Sequence, residues 1–334
     1  MLLFMDGFDH YSGNVTDTGK WGTQGTWGLT TASLSRTGPR CMEVYYVNNW
    51  VTTKPFAPVG GFVLGVAIRV ASQWETRDII AVNEGGTTHL MVGCTSAGYL
   101  CVKRAGIVLK TGTLPLPLNS WVYIEFKGVI HDTAGSYELR IDGSLEVSDT
   151  NVNTRNGLTG LWDRICLSAP IQQTFSWYDD FYVCDLGGGG RNDFLGPIKI
   201  DTFMAQAGSG FWMDFVPSIG GDHGAMVDEI PQNLTDWNAS GTVGHKDTYN
   251  IGNPILSGDI LGVQVNALVS KSDSGVRRIS PLIRTNGADY DGPEKALTTG
   301  WAYATMIKEK NPNTSLDWTA ADLTAIEAGV KVTA

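Results

Sequence analysis

The chain has 334 residues, of which 17% are charged, 10% are aromatic and 41 are glycine. This profile is typical of many short strands joined by tight turns and argues against a disordered chain. The formal net charge of −10 is spread over both halves without a cluster of lysine and arginine, which argues against a nucleic-acid partner. The length predicts two domains of about 150 residues each.

The cysteines and the first residues indicate the cellular compartment in which the protein folds. The five cysteines are an odd number without a C-x-x-C pair, so we expect buried reduced thiols and assembly in a bacterial cytoplasm. The start Met-Leu-Leu-Phe-Met-Asp lacks the basic region of a signal peptide. No apolar run reaches the roughly 18 residues of a membrane span, so we expect no membrane partner.

The first half predicts one closed β-sandwich. Residues 4–11 and 177–185 both alternate apolar and polar side chains, and we expect these terminal strands to pair. Residues 61–70 and 121–127 predict central strands. Asp142-Gly143 between two alternating runs predicts a hairpin with a type I′ turn, because both residues tolerate positive φ angles.

Four glycines at 187–190 predict the boundary between the domains. The domains are then 1–186, a β-sandwich, and 198–334, a second and looser sandwich, with a linker at 187–197. Phe194 and Leu195 would dock this linker onto the first sandwich and start a strand at 198–203.

The second half predicts two paired strands and one helix. The strands are 260–269 and 276–284, joined around 271–275. Thr319 and Asp322 form a capping box before an apolar stretch that Gly329 would close. The predicted fold class is therefore all-β, with two jelly-roll-like sandwiches in tandem and one short C-terminal helix.

The chain resembles virion structural proteins of tailed bacteriophages, whose first domain is similar to the concanavalin A/laminin-G jelly roll. The resemblance is carried by residues 2–11, 121–126, 141–143, 177–183 and 188–197, with a weaker echo at 311–314 and 317–319. The resemblance implies a viral structural protein. It does not imply a position in the virion, because head-decoration, fibre and tail proteins all contain such sandwiches.

The motifs of glycoside hydrolases, serine hydrolases, metalloproteases and nucleotide-binding loops are absent. Glu125 stands alone in a central strand, which favours a cross-strand or solvated carboxylate over a catalytic one. We therefore predict a protein that is not an enzyme and needs no cofactor.

Four aspartates are candidates for a calcium site. Asp6, Asp9, Asp179 and Asp180 would come together if the terminal strands pair, and clustered carboxylates are costly without a cation or hydrogen-bond donors. The alternative, which the sequence favours, is that two of them face outward along their strands and the others bond turn amides. Residues 289–292 resemble the start of an EF-hand loop without its glutamate and predict a turn.

Four tryptophans in Gly-, Thr- and Asn-rich segments are candidates for sugar stacking or subunit contacts: Trp21, Trp27, Trp50 and Trp74. We expect most of the tryptophans to lie in the core or at an interface. Three functions follow in order of preference. The first is a virion protein that binds other virion proteins and copies of itself, with a trimer as one arrangement. The second is a tail adhesin for a bacterial surface glycan, and the third is a glycan-cleaving enzyme.

Overall fold

The computed structural model describes residues 1–23, 29–31, 34–44, 50–71, 75–157, 159–168, 176–188, 190–208, 210–230, 232–252, 256 and 258–334. These residues form two compact units. Unit 1 contains residues 1–9 and 13–201, and unit 2 contains residues 10–12 and 202–334. Residues 187–201, which include the predicted linker, therefore belong to unit 1.

Unit 1 is a sandwich of two antiparallel sheets. The eight-stranded sheet contains β1 (Leu2–Asp6), β3 (Leu29–Thr31), β4 (Cys41–Val44), β6 (Gly61–Val70), β11 (Val122–Val129), β12 (Gly135–Ile141), β13 (Ser144–Val152) and β15 (Ser176–Asp185). Its strand order is β13-β12-β11-β6-β15-β4-β3, and β1 also pairs with β15.

The facing seven-stranded sheet has the order β10-β9-β8-β7-β14-β5-β2. Its strands are β2 (Trp21–Thr23), β5 (Trp50–Thr53), β7 (Arg77–Glu84), β8 (Thr87–Cys94), β9 (Tyr99–Arg104), β10 (Ile107–Pro115) and β14 (Arg164–Ser168). Aromatic rings fill the space between the sheets: Phe4 of β1 meets Trp21 of β2 edge-to-face, with ring centroids 4.9 Å apart.

Two predicted features of unit 1 are confirmed. β1 pairs antiparallel with β15, so the ends of the segment do meet in one sheet. Strands β12 and β13 form the predicted hairpin, with Ile141 opposite Ser144 and positive φ angles of 49° at Asp142 and 80° at Gly143.

The predicted docking of the linker is also confirmed within unit 1. The Leu195 amide donates to the Tyr182 hydroxyl at 3.1 Å, and the Gly196 amide donates to Glu125 at 2.8 Å. The guanidinium of Arg140 lies 4.1 Å from the centre of the Phe194 ring. The strand predicted at 198–203 does not form, because the Ile200 amide bonds the buried Asp180 carboxylate instead of a neighbouring strand.

Unit 2 is a smaller two-layer β-structure. Its five-stranded sheet has the order β18-β24-β20-β21, with β22 also beside β20. The strands are β18 (Lys246–Asn250), β20 (Arg278–Thr285), β21 (Ala288–Asp291), β22 (Lys295–Ala296) and β24 (Glu327–Val332). Strands β19 (Val263–Val269) and β23 (Ala302–Lys308) form the second layer, and β16 (Val216–Pro217) pairs with β17 (Asn238–Ala239).

The core of unit 2 lies between these layers. Buried apolar side chains of β19 and β23 pack against those of β20 and β24, including Val265, Met306, Ile283 and Val330. The one described α-helix, α1 (Ala320–Leu323), has the predicted capping box between Thr319 and Asp322. The predicted fold class, all-β with tandem sandwiches and a short C-terminal helix, is therefore confirmed.

Three local predictions in unit 2 are wrong. Strands β19 and β20 do not pair, because they lie in different layers and β19 pairs with β23. The helix ends at Leu323, and Gly329 lies inside β24, where a Cβ atom would meet the backbone of β18. Residues 289–291 belong to β21 rather than to a turn, and the turn before it is Asn286-Gly287, with φ angles of 50° and 77°.

All five cysteines are buried and free, as predicted. Within the described ranges, the chain contains no helix with the length and apolar character needed to cross a membrane.

Candidate functional site

The structure brings Asp179 and Asp180 of β15 together with the segment before β4. Asp179 accepts hydrogen bonds from the amides of Arg36 and Thr37, at 2.8 and 3.1 Å. Asp180 pairs with the Arg36 guanidinium and accepts from the Thr37 hydroxyl and the Ile200 amide. Both carboxylates are fully buried and serve as acceptors inside unit 1.

The other two candidates are also buried in unit 1. Asp6 accepts from the indole N–H of Trp21 at 2.8 Å and pairs with Lys20 at 3.0 Å. Asp9 accepts from the Arg40 amide at 2.9 Å. Among the residues that the structure describes, no three His, Cys, Asp or Glu side chains form a group able to hold a metal ion. The expectation that two of these aspartates face outward is wrong, because all four are buried, whereas the expected bonding to backbone amides is observed.

The buried aspartate pair predicts how stability depends on pH. Burial, followed by the Asp180 charge, raises the pKa of Asp179 to about 8, and burial also raises the pKa of Asp180. The folded protein thus holds a proton that the unfolded chain, titrating near 3.8, releases. We expect the free energy of unfolding to fall as pH rises from about 4 to about 8, by up to about 1.4 kcal/mol per pH unit.

Urea unfolding at several pH values in this range measures how steeply the free energy of unfolding changes with pH. In the Asp179→Asn variant the slope should be shallower, whatever the variant's absolute stability, because the side chain no longer titrates. Equal slopes in the two proteins would contradict the assignment to Asp179.

Glu125 is a buried carboxylate that bonds across strands, and it is not solvated. It is fully buried on β11 and accepts from the Tyr182 hydroxyl at 2.7 Å and from the Gly196 amide. Gly65 of β6 lies opposite both Glu125 and Tyr182, and a Cβ atom there would overlap the Tyr182 ring. The absence of a side chain at Gly65 is what lets Tyr182 reach Glu125 across the strand.

Of the four candidate tryptophans, the structure describes two, Trp21 and Trp50. Trp21 is fully buried against Phe4 and Phe8, which is the core position expected for most of these tryptophans, and it is not available for sugar stacking. Trp50 is half-buried at the start of β5. Trp27 and Trp74 lie outside the described residues.

Unit 2 carries an aromatic–charge cluster that the sequence analysis missed. We define it as Phe211, Trp212, Lys246, Arg284 and Asp289. Asp289 accepts from the Lys246 ammonium at 2.7 Å, from the Arg284 guanidinium at 2.6 Å and from the Trp212 indole at 2.8 Å. Although burial opposes it, these hydrogen bonds lower the pKa of Asp289.

The two rings of the cluster are held by cations. The Arg284 guanidinium lies 3.7 Å from the centre of the Phe211 ring, and the Lys246 ammonium lies 4.7 Å from the centre of the Trp212 ring. The rings meet edge-to-face at 5.0 Å, and Phe211 remains 58% exposed. The cluster is therefore an ordered, partly exposed aromatic platform with polar groups beside it.

A second surface of unit 2 is an apolar ribbon, which we define as residues 216–219 and 237–239, the strands β16 and β17 with the residues that follow and precede them. Val216 lies opposite Ala239, and the Ser218 amide bonds the Trp237 carbonyl at 2.8 Å, so these residues share one side of the ribbon. Val216 is 69% exposed, Ile219 62% and Trp237 43%. Large exposed apolar side chains grouped in this way are typical of interaction surfaces.

The ribbon is anchored from its other side by Asn238. The Asn238 amide donates to the His223 carbonyl at 2.8 Å and to the Tyr249 hydroxyl at 3.1 Å. Tyr249 in turn donates to the buried Asp247, which the His223 ring also bonds at 2.9 Å. Burial raises the pKa of Asp247, while these two partners oppose the rise. The exposed side chains of the ribbon are thus presented on a fixed support.

The ribbon segment is also acidic. The sequence has no lysine or arginine between Lys199 and Lys246. The acidic residues in that interval are Asp201, Asp214, Asp222, Asp228, Glu229 and Asp236. The presence of acidic residues without basic ones in this interval can be seen in the sequence alone, and it is the signal that could have identified this surface.

No protein-family model matches the chain, and no curated protein matches its sequence. Solved structures similar to it include an endo-β-1,4-glucuronan lyase of Trichoderma reesei, at 13% identity and a TM-score of 0.41, covering 55% of this chain and 95% of the lyase. Alginate lyase Aly36B has 11% identity and a TM-score of 0.40, with 55% and 96% coverage.

A further similar structure is domain 4 of the arabinanase AbnA of Geobacillus stearothermophilus, which was solved with arabinotriose. It has 12% identity and a TM-score of 0.38, with 55% of this chain and 91% of that chain covered. By their names these neighbours act on carbohydrates or were solved with one, and at identities of 11–13% and TM-scores of 0.38–0.41 the likeness supports no conclusion about this chain's activity.

Proposed function

We propose that this chain is a non-enzymatic structural protein of a tailed-phage virion that binds neighbouring virion proteins through the apolar ribbon. The observation that carries the proposal is the exposure of Val216, Ile219 and Trp237 on a support fixed by Asn238. An ordered apolar surface loses little conformational entropy on binding, and a central tryptophan is a frequent binding hot spot. The resemblance of the sequence to phage structural proteins supplies the setting, with assembly in the bacterial cytoplasm.

The charge of the segment selects the partner surface. The segment that carries the ribbon, residues 202–245, contains acidic residues and no lysine or arginine, so it is complemented by an apolar patch rimmed with lysine or arginine. Two ribbons packed face to face would bring like charges together. Copies of this chain would therefore assemble head to tail, with the ribbon of one against a different surface of the next, as in a closed ring such as a trimer.

The geometry of Glu125 supports a role without catalysis. Its carboxylate is fully buried and bonded to Tyr182 and Gly196, where a substrate has no access. The proposal is therefore one of binding and assembly.

The ribbon predicts a selective loss of assembly. In a Val216→Asp/Trp237→Asp variant we expect unchanged folding and at least about tenfold weaker attachment to particles, because a hot-spot residue contributes about 2 kcal/mol or more. The measurement is electron microscopy and quantitative blotting of purified phage particles assembled with a tagged chain. Regular density on head or tail is the expected wild-type result.

The matched control is Val276→Asp, at a position that is 74% exposed and outside the ribbon. It should attach like the wild type, and added salt should weaken the wild-type attachment. Absence of the chain from particles, density only at fibre tips, or equal attachment of the two variants would overturn the proposal.

A further inference from the structure

The aromatic–charge cluster has the elements of a saccharide site. Phe211 presents an exposed ring, and the Arg284 guanidinium occupies one side of that ring. A pyranose binds proteins by placing its C–H face on an aromatic ring while its hydroxyls bond planar polar groups at the ring's edge. Phe211 offers the ring, and the neighbouring charged side chains offer the polar groups.

The cluster is held in place before any ligand arrives. Asp289 fixes Trp212, Lys246 and Arg284 through three hydrogen bonds. The Phe211 amide donates to the Glu327 carboxylate at 2.9 Å, and the Trp212 amide donates to the Thr248 hydroxyl at 3.0 Å. These bonds fix the main chain that carries both rings, so binding requires little reordering.

The charges around the ring indicate which saccharides fit. Lys246 and Arg284 both pair with Asp289, the Glu327 carboxylate accepts from the Phe211 amide, and the neighbouring Lys331 bonds Asp291 at 2.5 Å. Positive and negative groups balance, so a ligand carboxylate would meet acidic side chains as well as basic ones. Ammonium and guanidinium groups suit hydroxyl acceptors, and the carboxylates suit hydroxyl donors.

We propose that the aromatic–charge cluster of unit 2 is a binding site for a neutral hexopyranose of a surface glycan, stacked on the outer face of Phe211. The inference is independent of the apolar ribbon and of the virion assignment. It gives this chain a second binding activity, in which one surface holds protein and the other holds sugar.

The test is saturation-transfer-difference NMR with the whole chain and a panel of neutral trisaccharides: cellotriose, maltotriose, mannotriose and β-1,4-galactotriose. A uronic-acid trisaccharide is the charged comparison. At about 10 mM each, a dissociation constant of about 1 mM gives near-complete occupancy. We expect saturation transfer to the ring protons of at least one neutral trisaccharide.

Three variants locate the site. Phe211→Ala should weaken binding at least about tenfold, the effect of losing about 1.4 kcal/mol. Arg284→Lys keeps the charge and loses the flat support of the ring, so it should weaken binding less than Phe211→Ala but measurably. Trp237→Ala removes an aromatic ring of the apolar ribbon and should leave saccharide binding unchanged.

Four results would overturn the inference. They are the absence of transfer to every neutral trisaccharide, stronger binding of the uronic-acid trisaccharide, equal binding by the wild type and Phe211→Ala, and loss of binding in Trp237→Ala. Since Trp237→Ala affects only the ribbon and Phe211→Ala only the cluster, failure of one proposal leaves the other standing.

Discussion

A chain that ends at residue 170 is expected not to fold, whereas chains that end at residues 188 and 201 are expected to be soluble. The shortest chain lacks β15, which lies between β6 and β4 and also pairs with β1. Its loss removes the fully buried Tyr178, Phe181 and Tyr182 from the core. No other part of unit 1 could fill that position, so the defect concerns the whole sandwich.

The two longer chains separate the strand from the linker that docks on it. Ending at 201 retains the amides of Leu195, Gly196 and Ile200, which bond buried groups of unit 1. At about 1 kcal/mol for each bond, we expect the longer chain to be more stable by about 3 kcal/mol. Circular dichroism and urea unfolding measure both effects. A folded chain ending at 170 would contradict the pairing of β15, and equal stability of the two longer chains would contradict the linker's role.

Gly65→Ala is the point substitution with the largest expected effect. The added Cβ atom would overlap the Tyr182 ring and lie 2.9 Å from Cε1 of Tyr123, in the middle of the eight-stranded sheet. Both rings are fully buried, and neither can move without breaking a hydrogen bond, from Tyr182 to Glu125 or from Tyr123 to the Asp180 carbonyl. We expect a loss of at least about 2 kcal/mol in the free energy of unfolding, as for other overpacked cores.

The control is Gly86→Ala, in the turn between β7 and β8. A Cβ atom at Gly86 meets no atom within 4 Å, and its φ angle is not positive. This variant should unfold within about 0.5 kcal/mol of the wild type in urea. If the two variants unfold alike, the explanation of Gly65 is wrong.

Local signals made the first unit predictable. Asp142-Gly143 fixes a hairpin by its own φ angles, and residues 177–185 are rich in the aromatic and β-branched side chains typical of strands. The capping box at Thr319 likewise depends on residues three positions apart. Its helix nevertheless stops early, because residues 327–332 gain more from pairing with β18 and β20 than from continuing a helix.

The arrangement of unit 2 was less predictable because it depends on long-range contacts. Residues 263–269 and 278–285 both read as strands, but only packing assigns them to separate layers. The aromatic–charge cluster joins Trp212 to Lys246, 34 positions further along the chain, and to Asp289, 77 positions further along the chain. No short motif encodes such a cluster, since each residue alone is ordinary for a surface strand.

The division of the ribbon into two sides has a consequence for sequence change. Asn238 fastens the ribbon from beneath, so replacing Val216, Ile219 or Trp237 does not touch the bonds that hold it. During evolution, substitutions at a few exposed positions could therefore change the binding partner while the fold that supports the ribbon stays intact. The same separation makes these positions suitable for a displayed library, in which new specificities are selected without reselecting the fold.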